Sequence, residues 1–141
     1  MMNLLGEFRH TVDAKNRLFI PAKYREEIGG EFFVTRRTET CLAIYPPEKW
    51  KNLSDKLNSF PDSQVAQIKR FIFSKSAALT PDSHGRIILP TDLLKYAQIE
   101  KNVVIAGMGD YAEIWSDTLY DKMENELDIS EMDALLRELG L

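Results

Sequence analysis

The chain has 141 residues, of which 44% are hydrophobic and 28% are charged, and its formal net charge is −4. These proportions are typical of a soluble globular protein and exclude a disordered or fibrous one. No apolar run approaches the roughly 20 residues needed to cross a bilayer, and no basic segment followed by an apolar one opens the sequence, so neither a membrane span nor secretion is expected. Cys41 is the only cysteine, so no internal disulfide can form, and a reducing cytoplasm is the expected location.

The charges are unevenly distributed along the chain. Residues 1–75 carry a net charge of +4, whereas residues 76–141 carry a net charge of −8. A protein binds its partner with one face, so the distribution matters more than the total. The acidic total therefore does not exclude a face in the first half of the chain that binds a polyanion such as a nucleic acid.

The first predicted element is a strand followed by a polar turn. Residues 7–12 alternate apolar and polar side chains, which predicts a strand with one buried face. Asp13 can accept hydrogen bonds from the backbone of the turn that follows, and Asn16 tolerates a positive φ angle. Residues 17–20 are then predicted to be a returning strand. We therefore expect the two strands to form a β-hairpin.

A short helix and two more strands follow. Pro21 suits the first turn of a helix, which predicts a helix over residues 22–28. The apolar runs 32–35 and 41–45 predict two further strands joined by a polar turn. Residues 5–47 therefore make up a first unit with the order strand, strand, helix, strand, strand.

Much of this unit recurs later in the chain. Residues 13–21 match residues 82–90, because both segments contain Asp, three turn-type residues, Arg, three apolar residues and Pro. The flanking strand and helix signals repeat as well, which is the mark of a duplicated structural unit. Residues 76–119 therefore make up a second unit of the same order. A unit of about 45 residues buries too little surface to be stable alone, so we expect the two units to share one core.

The segment after each unit is predicted to be helical. Residues 48–75 form an ordered linker of two helices, with Asp62 or Ser63 as the cap of the second helix. An apolar stripe in this linker is interpreted as part of the core rather than as a groove for a partner. The stripe comprises Trp50, Leu53, Leu57, Val65 and Ile68. Residues 120–141 form a C-terminal tail whose last helix, opened by Ser130, carries apolar side chains that need cover from this chain or from a neighbour.

The repeated Asp-x-x-x-Arg pattern has two interpretations. In the structural one, the aspartate bonds to the amides of its own turn while the arginine pairs with it or with solvent. In the functional one, a rigid hairpin presents basic side chains to phosphates or base edges, since a two-stranded ribbon can enter the major groove and Arg fits the edge of guanine or a phosphate. A duplication would copy a structural turn as faithfully as a DNA-binding one, so the repeat does not decide between the two interpretations.

The motifs together resemble one protein family. The doubled Asp-x-x-x-Arg motif, Gly6 to Phe8, Phe60-Pro61 and the sequence Arg-Ile-Ile-Leu-Pro at 86–90 resemble the MraZ family of bacterial transcription regulators, in the wider AbrB-like swapped-hairpin superfamily. The resemblance covers about residues 3–120, and nothing is transferred to the tail. It implies an α+β fold in which tandem ββαββ units interleave as an AbrB-like swapped-hairpin barrel, with a helical linker and C-terminal helices.

The same resemblance implies a function. The expected protein is a cytoplasmic, nucleoid-associated regulator of the cell-division and cell-wall gene cluster, its own promoter included, which binds upstream direct repeats of double-stranded DNA as a ring-shaped homo-oligomer. No cofactor, metal, membrane or small-molecule substrate is expected. The candidate DNA-binding residues are Arg17, Lys15, Arg9, His10, Arg86 and His84, and the candidate turn-stabilising residues are Asp13 and Asp82. The first motif is the more basic one, so we expect Arg17 to be the leading contact.

Two other functions stay open. One is an interaction module of the same fold that binds a protein partner through its helices. The other is an enzyme, which is poorly supported because Asp82, Ser83 and His84 are adjacent on one turn and cannot form the spatial relay of nucleophilic catalysis. Two histidines without a clustered carboxylate or thiol are likewise a poor metal site. Gly107-Met108-Gly109 is interpreted as a tight turn rather than a phosphate loop, and Arg36-Arg37 as a solvated turn or, alternatively, an auxiliary phosphate contact or a pair between subunits.

Overall fold

A computed structural model describes residues 2–141, which form a mixed α+β fold, as expected. In chain order the elements are β1 (Glu7–Thr11), β2 (Arg17–Phe19), α1 (Ala22–Ile28), β3 (Phe32–Arg37), β4 (Cys41–Tyr45), α2 (Pro47–Asn58), α3 (Asp62–Ile72), β5 (Ala77–Leu79), β6 (Arg86–Ile88), α4 (Thr91–Tyr96), β7 (Asn102–Gly107), β8 (Ala112–Ser116), α5 (Asp117–Asn125) and α6 (Ile129–Glu138). Within residues 2–141, no helix is long and apolar enough to span a membrane.

The strands from the two halves of the chain are interleaved. The larger sheet is antiparallel, with six strands in the order β1-β7-β8-β4-β3-β5, and the smaller one is a two-stranded antiparallel ribbon of β2 and β6. β1 pairs with β7, β5 pairs with β3, and β4 pairs with β8 in the middle of the large sheet. β7 and β8 are joined by the tight turn expected at Gly107-Met108-Gly109, where the Met108 N–H donates to the Tyr111 carbonyl. Both halves therefore contribute to every sheet.

The predicted hairpins around Asp13 and Asp82 are wrong. The turns themselves form, because the Asp13 N–H donates to the Arg17 carbonyl (3.0 Å) and the Asp82 N–H donates to the Arg86 carbonyl (2.8 Å). However, the strands on either side of the first turn do not pair with each other. Instead, β1 pairs with β7, and β2 pairs with β6. Alternating apolar and polar side chains are compatible with any antiparallel partner strand. The sequence pattern therefore could not show that β1 and β2 exchange partners with strands of the second half. The exchange places the apolar side chains of both halves in one core.

This core lies between the ribbon and one face of the large sheet, which we call the inner face. Leu18 of β2 and Ile87 of β6 point inward and are buried against it. The inner face carries Val34, Ile44, Ile105 and Ile114. Tyr24 of α1 is also buried in the core, and its hydroxyl donates to the Leu5 carbonyl (3.0 Å). The expectation of a shared core is confirmed.

The opposite, outer face of the large sheet is covered by helices. α2 packs on β3 and β4, where Trp50 stacks on Phe33 with ring centroids 4.9 Å apart. α5 packs on β7 and β8. Within the linker, Leu57 and Val65 are buried, as the core interpretation predicts, but Ile68 is 45% exposed. The apolar stripe is therefore only partly core.

Two of the predicted helix caps are wrong. α3 has no side-chain cap from either Asp62 or Ser63, because Pro61 occupies the N-cap position and both residues already lie in the first turn. The Asp62 carboxylate pairs with Lys69. α6 begins at Ile129 and is capped by Asp128, whereas Ser130 lies inside the helix. In the second case an equally favourable cap residue stands two positions before the predicted one.

Arg36 and Arg37 belong to β3 and not to a solvated turn. The Arg36 Nε donates to the Phe71 carbonyl (2.8 Å), and its guanidinium lies 4.1 Å from the centroid of the Phe71 ring. Arg37 lies on the outer face of the sheet, where its Nε is 3.2 Å from the buried carboxylate of Glu113 on β8. This ion pair therefore joins the first half of the chain to the second.

Candidate nucleic-acid interface

The two Asp-x-x-x-Arg motifs meet on the ribbon of β2 and β6. Arg17 lies opposite Ile88, and Phe19 lies opposite Arg86. Residues opposite each other in an antiparallel pair share a face, and the residues between them point into the core, so these four side chains all face outward. Phe19 is 37% exposed and Ile88 is 62% exposed. We call this surface, made of Arg17, Phe19, Arg86 and Ile88, the ribbon face.

The first turn fixes Arg17 through Asp13. The Asp13 carboxylate accepts hydrogen bonds from the backbone N–H groups of Lys15 and Arg17, both at 2.9 Å, and from the Arg17 Nε at 2.6 Å. The backbone N–H of Arg17, followed by its side chain and the Lys15 N–H, holds the pKa of Asp13 below its ordinary value. Asn16 supplies the left-handed residue that the turn requires, with φ at 61°. The predicted turn-stabilising geometry is therefore present.

The second turn repeats this geometry with a looser ion pair. The Asp82 carboxylate accepts hydrogen bonds from the N–H groups of His84 (2.8 Å) and Arg86 (3.0 Å). Its second oxygen is 3.4 Å from the Arg86 Nε, compared with 2.6 Å in the first turn. The backbone N–H groups, that of Arg86 first, lower the pKa of Asp82. Gly85 takes the left-handed position, with φ at 78°.

Both arginines are held in place and still have donors to offer. The Arg17 Nε donates to Asp13, whereas the Arg86 Nε lies 3.4 Å from Asp82 without a hydrogen bond. Among residues 2–141, no other group accepts a hydrogen bond from either side chain. A side chain that is already positioned loses less conformational entropy on binding. The two turns lie at opposite ends of a ribbon of three residue pairs, which places them about 10–15 Å apart.

Arg25 of α1 adjoins the ribbon face and was not predicted from the sequence. Its Nε donates to the Ile20 carbonyl (3.0 Å), and its guanidinium lies 5.1 Å from the centroid of the Phe19 ring. It also covers the second turn, because a Cβ added at Gly85 would lie 2.7 Å from the Arg25 Cζ. The matching residue in the second unit is Leu94, which is buried. No local pattern could reveal Arg25, since its contact joins the two units.

The structure separates two of the predicted residues that are adjacent in β1. His10 points toward the ribbon, and its ring centroid is 5.4 Å from that of Phe19. Arg9 points to the outer side of the sheet, where it forms an ion pair with Asp121 of α5 at 2.7 Å. That hydrogen bond raises the pKa of Arg9. Arg9 therefore does not lie with the other predicted residues.

Lys15 and His84 occupy matching tips of the two turns. Lys15 is exposed, and among residues 2–141 no acid pairs with its ammonium group. His84 is exposed as well, with its Nδ1 3.4 Å from the Ser83 hydroxyl. Four cations and two aspartates thus surround the ribbon, so this surface is basic although the whole chain is acidic. The cations are Lys15, Arg17, Arg25 and Arg86.

Comparison with known proteins agrees with the duplication. The sequence model of the family described as "MraZ protein, putative antitoxin-like" matches residues 3–70 and again residues 72–140. The chain belongs to the MraZ family. Proteins named Transcriptional regulator MraZ are similar to it, among them those from Thermoanaerobacter sp. (strain X514), 38% identical over 90% of each chain, and Clostridium tetani (strain Massachusetts / E88), 37% identical over 97% of this chain and 99% of that one. The protein of that name from Desulfitobacterium hafniense (strain Y51) is 41% identical over 82% of each chain.

Both MraZ matches include helices as well as strands. The first match contains α2 and most of α3, and the second contains α5 and α6. The similarity to the MraZ family thus extends beyond residues 3–120, the range that the motifs alone indicated. In this MraZ family member, α5 and α6 therefore correspond to α2 and α3.

Proposed function

We propose that this protein is a DNA-binding transcriptional regulator that uses the ribbon face as its contact surface. One observation carries the proposal: the pairing of β2 with β6 places Arg17 and Arg86 on the same outward face, each fixed by its own aspartate. The names of the similar proteins support a role in transcription. The proposed targets are direct repeats upstream of the cell-division and cell-wall gene cluster, with the protein's own promoter among them.

The chemistry of the ribbon face suits double-stranded DNA. A two-stranded ribbon fits the major groove, and a guanidinium can bind guanine or a phosphate through two parallel hydrogen bonds. In the proposed complex Arg17 and Arg86 provide these contacts, while Lys15, Arg25, His10 and His84 face the phosphates on either side. Arg9 is not included, because it lies on the outer side of the large sheet.

The same arrangement supports the proposed fold and assembly. The exchange of strands supports an AbrB-like swapped-hairpin barrel built from units 5–47 and 76–119, with the linker 48–75 and the tail 120–141 outside it. A ribbon with turns about 10–15 Å apart covers less than one DNA turn of about 34 Å. One subunit therefore binds one short DNA element weakly. A homo-oligomeric ring in the cytoplasm binds several repeated DNA elements at once, and its affinity rises because each further contact is made at a high effective concentration. The proposal includes no catalytic step, cofactor or small-molecule substrate.

Fluorescence anisotropy with a labelled duplex from the region upstream of the gene tests the proposal. With excess nonspecific competitor, Arg17→Ala should weaken binding about 10- to 100-fold, the range expected for one arginine-to-base contact. Arg86→Ala should have a smaller effect, because its pair with Asp82 is looser. Arg9→Ala is the matched control, since it removes the same charge from the opposite side of the sheet, and should change binding less than about threefold.

Two results would contradict this assignment. Equal binding by wild type and Arg17→Ala would show that the ribbon face is not the contact surface. If wild type failed to bind the duplex at all, the second hypothesis, an interaction module that binds a protein through its helices, would be favoured. One observation supports that second function, namely the exposed apolar side of α6.

A further inference from the structure

Phe19 places an aromatic ring among the cations of the ribbon face. It lies directly opposite Arg86 and two residues after Arg17 along β2. The residue is 37% exposed, whereas its neighbour Leu18 points into the core and is fully buried. The core therefore does not require an aromatic side chain at this position, and the ring stands on the surface between the two arginines that are proposed to bind DNA.

Three neighbours hold the Phe19 ring in one place. The His10 ring packs against it edge-to-face, with the two centroids 5.4 Å apart. The Arg25 guanidinium lies 5.1 Å from the centroid of the ring. The second turn touches it as well, since a Cβ added at Gly85 would lie 3.0 Å from the Phe19 Cε1. A ring that is already ordered loses less conformational entropy when it contacts a partner.

The matching residue of the second unit lacks this support. Ile88 takes the place of Phe19 in the repeat and is 62% exposed. Leu79 takes the place of His10, and Leu94 takes the place of the arginine of α1, so neither an imidazole nor a guanidinium can pack on Ile88 from these positions. An ordered apolar contact is therefore available at only one of the two matching positions.

The major groove offers one apolar group to such a ring. The base edges there present hydrogen-bond donors and acceptors, and thymine alone adds a methyl group, at C5. A phenylalanine ring gains free energy by burying a methyl group, whereas it would leave a donor or acceptor without a partner. We propose that Phe19 recognises a thymine through its 5-methyl group, an inference that rests on the proposed binding of DNA by the ribbon face.

The register of the ribbon limits where this thymine lies. Residues opposite each other in an antiparallel pair have Cβ atoms about 5 Å apart, and residues two apart on one strand are separated by about 7 Å. Successive base pairs are about 3.4 Å apart. The thymine that Phe19 contacts should therefore lie within about two base pairs of the bases that Arg17 and Arg86 contact.

A purely structural role for Phe19 leads to a different expectation. The ring packs on Gly85, so its removal would loosen the second turn and weaken binding to DNA in general. This loosening would affect a duplex with thymine and a duplex with uracil equally, because the two bases differ only in the methyl group. The ratio of the two dissociation constants therefore separates recognition of the methyl group from support of the fold.

Replacement of single thymines by deoxyuridine in the upstream duplex tests the proposal by fluorescence anisotropy. Wild type should bind about three- to fivefold more weakly when one particular thymine is replaced, the size expected for one buried methyl group. Phe19→Ala should bind the thymine duplex more weakly by a similar factor and should lose nothing further on that replacement. Ile88→Ala is the matched control and should keep the wild-type ratio at this thymine.

Two results would overturn the proposal. If wild type bound every uracil duplex as tightly as the thymine duplex, no methyl group would be recognised. If Phe19→Ala kept the wild-type ratio, a different residue would recognise it. Failure of the proposed function would look different, because wild type would not bind the thymine duplex or would bind it no more tightly than Arg17→Ala. That result would overturn both proposals, so the two failures are distinguishable.

A methylated cytosine provides a test that needs no variant, and so it stands even where Phe19→Ala fails to fold. The thymine identified by the uracil replacements is changed to cytosine or to 5-methylcytosine, with guanine opposite it in both duplexes. Wild type should bind the 5-methylcytosine duplex about three- to fivefold more tightly than the cytosine duplex. The two duplexes present the same hydrogen-bonding groups, so this gain comes from the methyl group alone. Equal binding to both would overturn the proposal.

Discussion

The two units have the same backbone plan and differ in the side chains that cross between them. Both turns hold an arginine through an aspartate, and both have a left-handed residue before the arginine. The differences lie elsewhere. Arg25 in the first unit corresponds to Leu94 in the second, and Glu113 in the second corresponds to Ala43 in the first.

These differences act across the boundary between the units. Arg25 of the first unit covers Gly85 of the second, and Arg37 of the first pairs with Glu113 of the second. Because the strands are interleaved, a side chain of one unit contributes to a turn or a sheet position of the other. Each copy of this duplicated scaffold therefore depends on side chains of the other copy.

The largest effect is expected from breaking the ion pair that joins the units. Glu113 is buried, lies 3.2 Å from the Arg37 Nε and accepts a hydrogen bond from the Trp115 Nε1 (3.0 Å). Glu113→Ala should lower the free energy of unfolding by about 3 kcal/mol, because it leaves a half-buried guanidinium without its buried partner. Urea unfolding followed by tryptophan fluorescence measures this change.

Glu39→Ala is the matched control for that variant. Glu39 also pairs with Arg37 (3.0 Å) but lies within the first unit and is exposed. Its loss should cost less than about 1 kcal/mol. Equal destabilisation by the two variants would show that the pair across the units has no special role.

An intermediate effect is expected at the left-handed residue of the second turn. Gly85→Ala forces a side chain into φ 78° and displaces Arg25 from its place on the turn. It should lower the free energy of unfolding by about 1–2 kcal/mol and also weaken binding to DNA. Thermal unfolding and fluorescence anisotropy measure the two effects.

Asn16→Gly is the corresponding change in the first turn. It keeps the left-handed conformation open and removes only an exposed hydrogen bond from the Asn16 side chain to the Thr91 hydroxyl (3.2 Å). It should therefore lower the free energy of unfolding by less than about 1 kcal/mol. If Gly85→Ala were as neutral as this control, the contact of Arg25 with the second turn would not be significant.

The smallest effect is expected from the two turn aspartates, and it depends on pH. Backbone N–H groups lower the pKa of both Asp13 and Asp82, so each carboxylate stabilises the fold at neutral pH and this stabilisation is lost as the pH falls through the lowered pKa. Asp13→Asn should therefore lower Tm at pH 7, by an amount that begins to shrink as the pH falls below the ordinary carboxyl value of about 4 and vanishes once the pH is below the lowered pKa. Differential scanning calorimetry across this range measures the difference.

Asp13→Asn and Asp82→Asn should lower Tm by different amounts. Asp13 holds its arginine at 2.6 Å, whereas the pair of Asp82 with Arg86 is at 3.4 Å, so Asp82→Asn should shift Tm less at pH 7. A difference that grew as the pH fell would contradict the assigned direction of the pKa shifts.

Much of the local structure could be predicted from the sequence. Turn chemistry predicted the hydrogen bonds that Asp13 and Asp82 accept, the proline predicted the start of α1, and the repeat predicted the order of elements in the second unit. These features depend on residues that are close together in the chain, so a local sequence pattern includes every residue that determines them. The role proposed for Arg17 in binding DNA stays a prediction until binding is measured.

Other features of the interface could not be predicted in this way. The alternation in residues 7–12 predicted a strand but not its partner, and so the hairpin was placed wrongly. His10 and Arg9 were grouped as neighbours, although alternate residues of a strand point to opposite faces of a sheet and only one face adjoins the ribbon. Arg25 has no local signal at all, because its partners are in the other unit.

The sequence by itself therefore determined the turns at Asp13 and Asp82, the repeated order of elements in the two units, and the residue types at the tip of each turn. Only the tertiary structure decided that β2 pairs with β6, which brings Arg17 and Arg86 onto one surface. The physical reason is that backbone hydrogen bonds between strands are the same for every partner, so the choice among partners is made by burial of the apolar side chains of both units in one core.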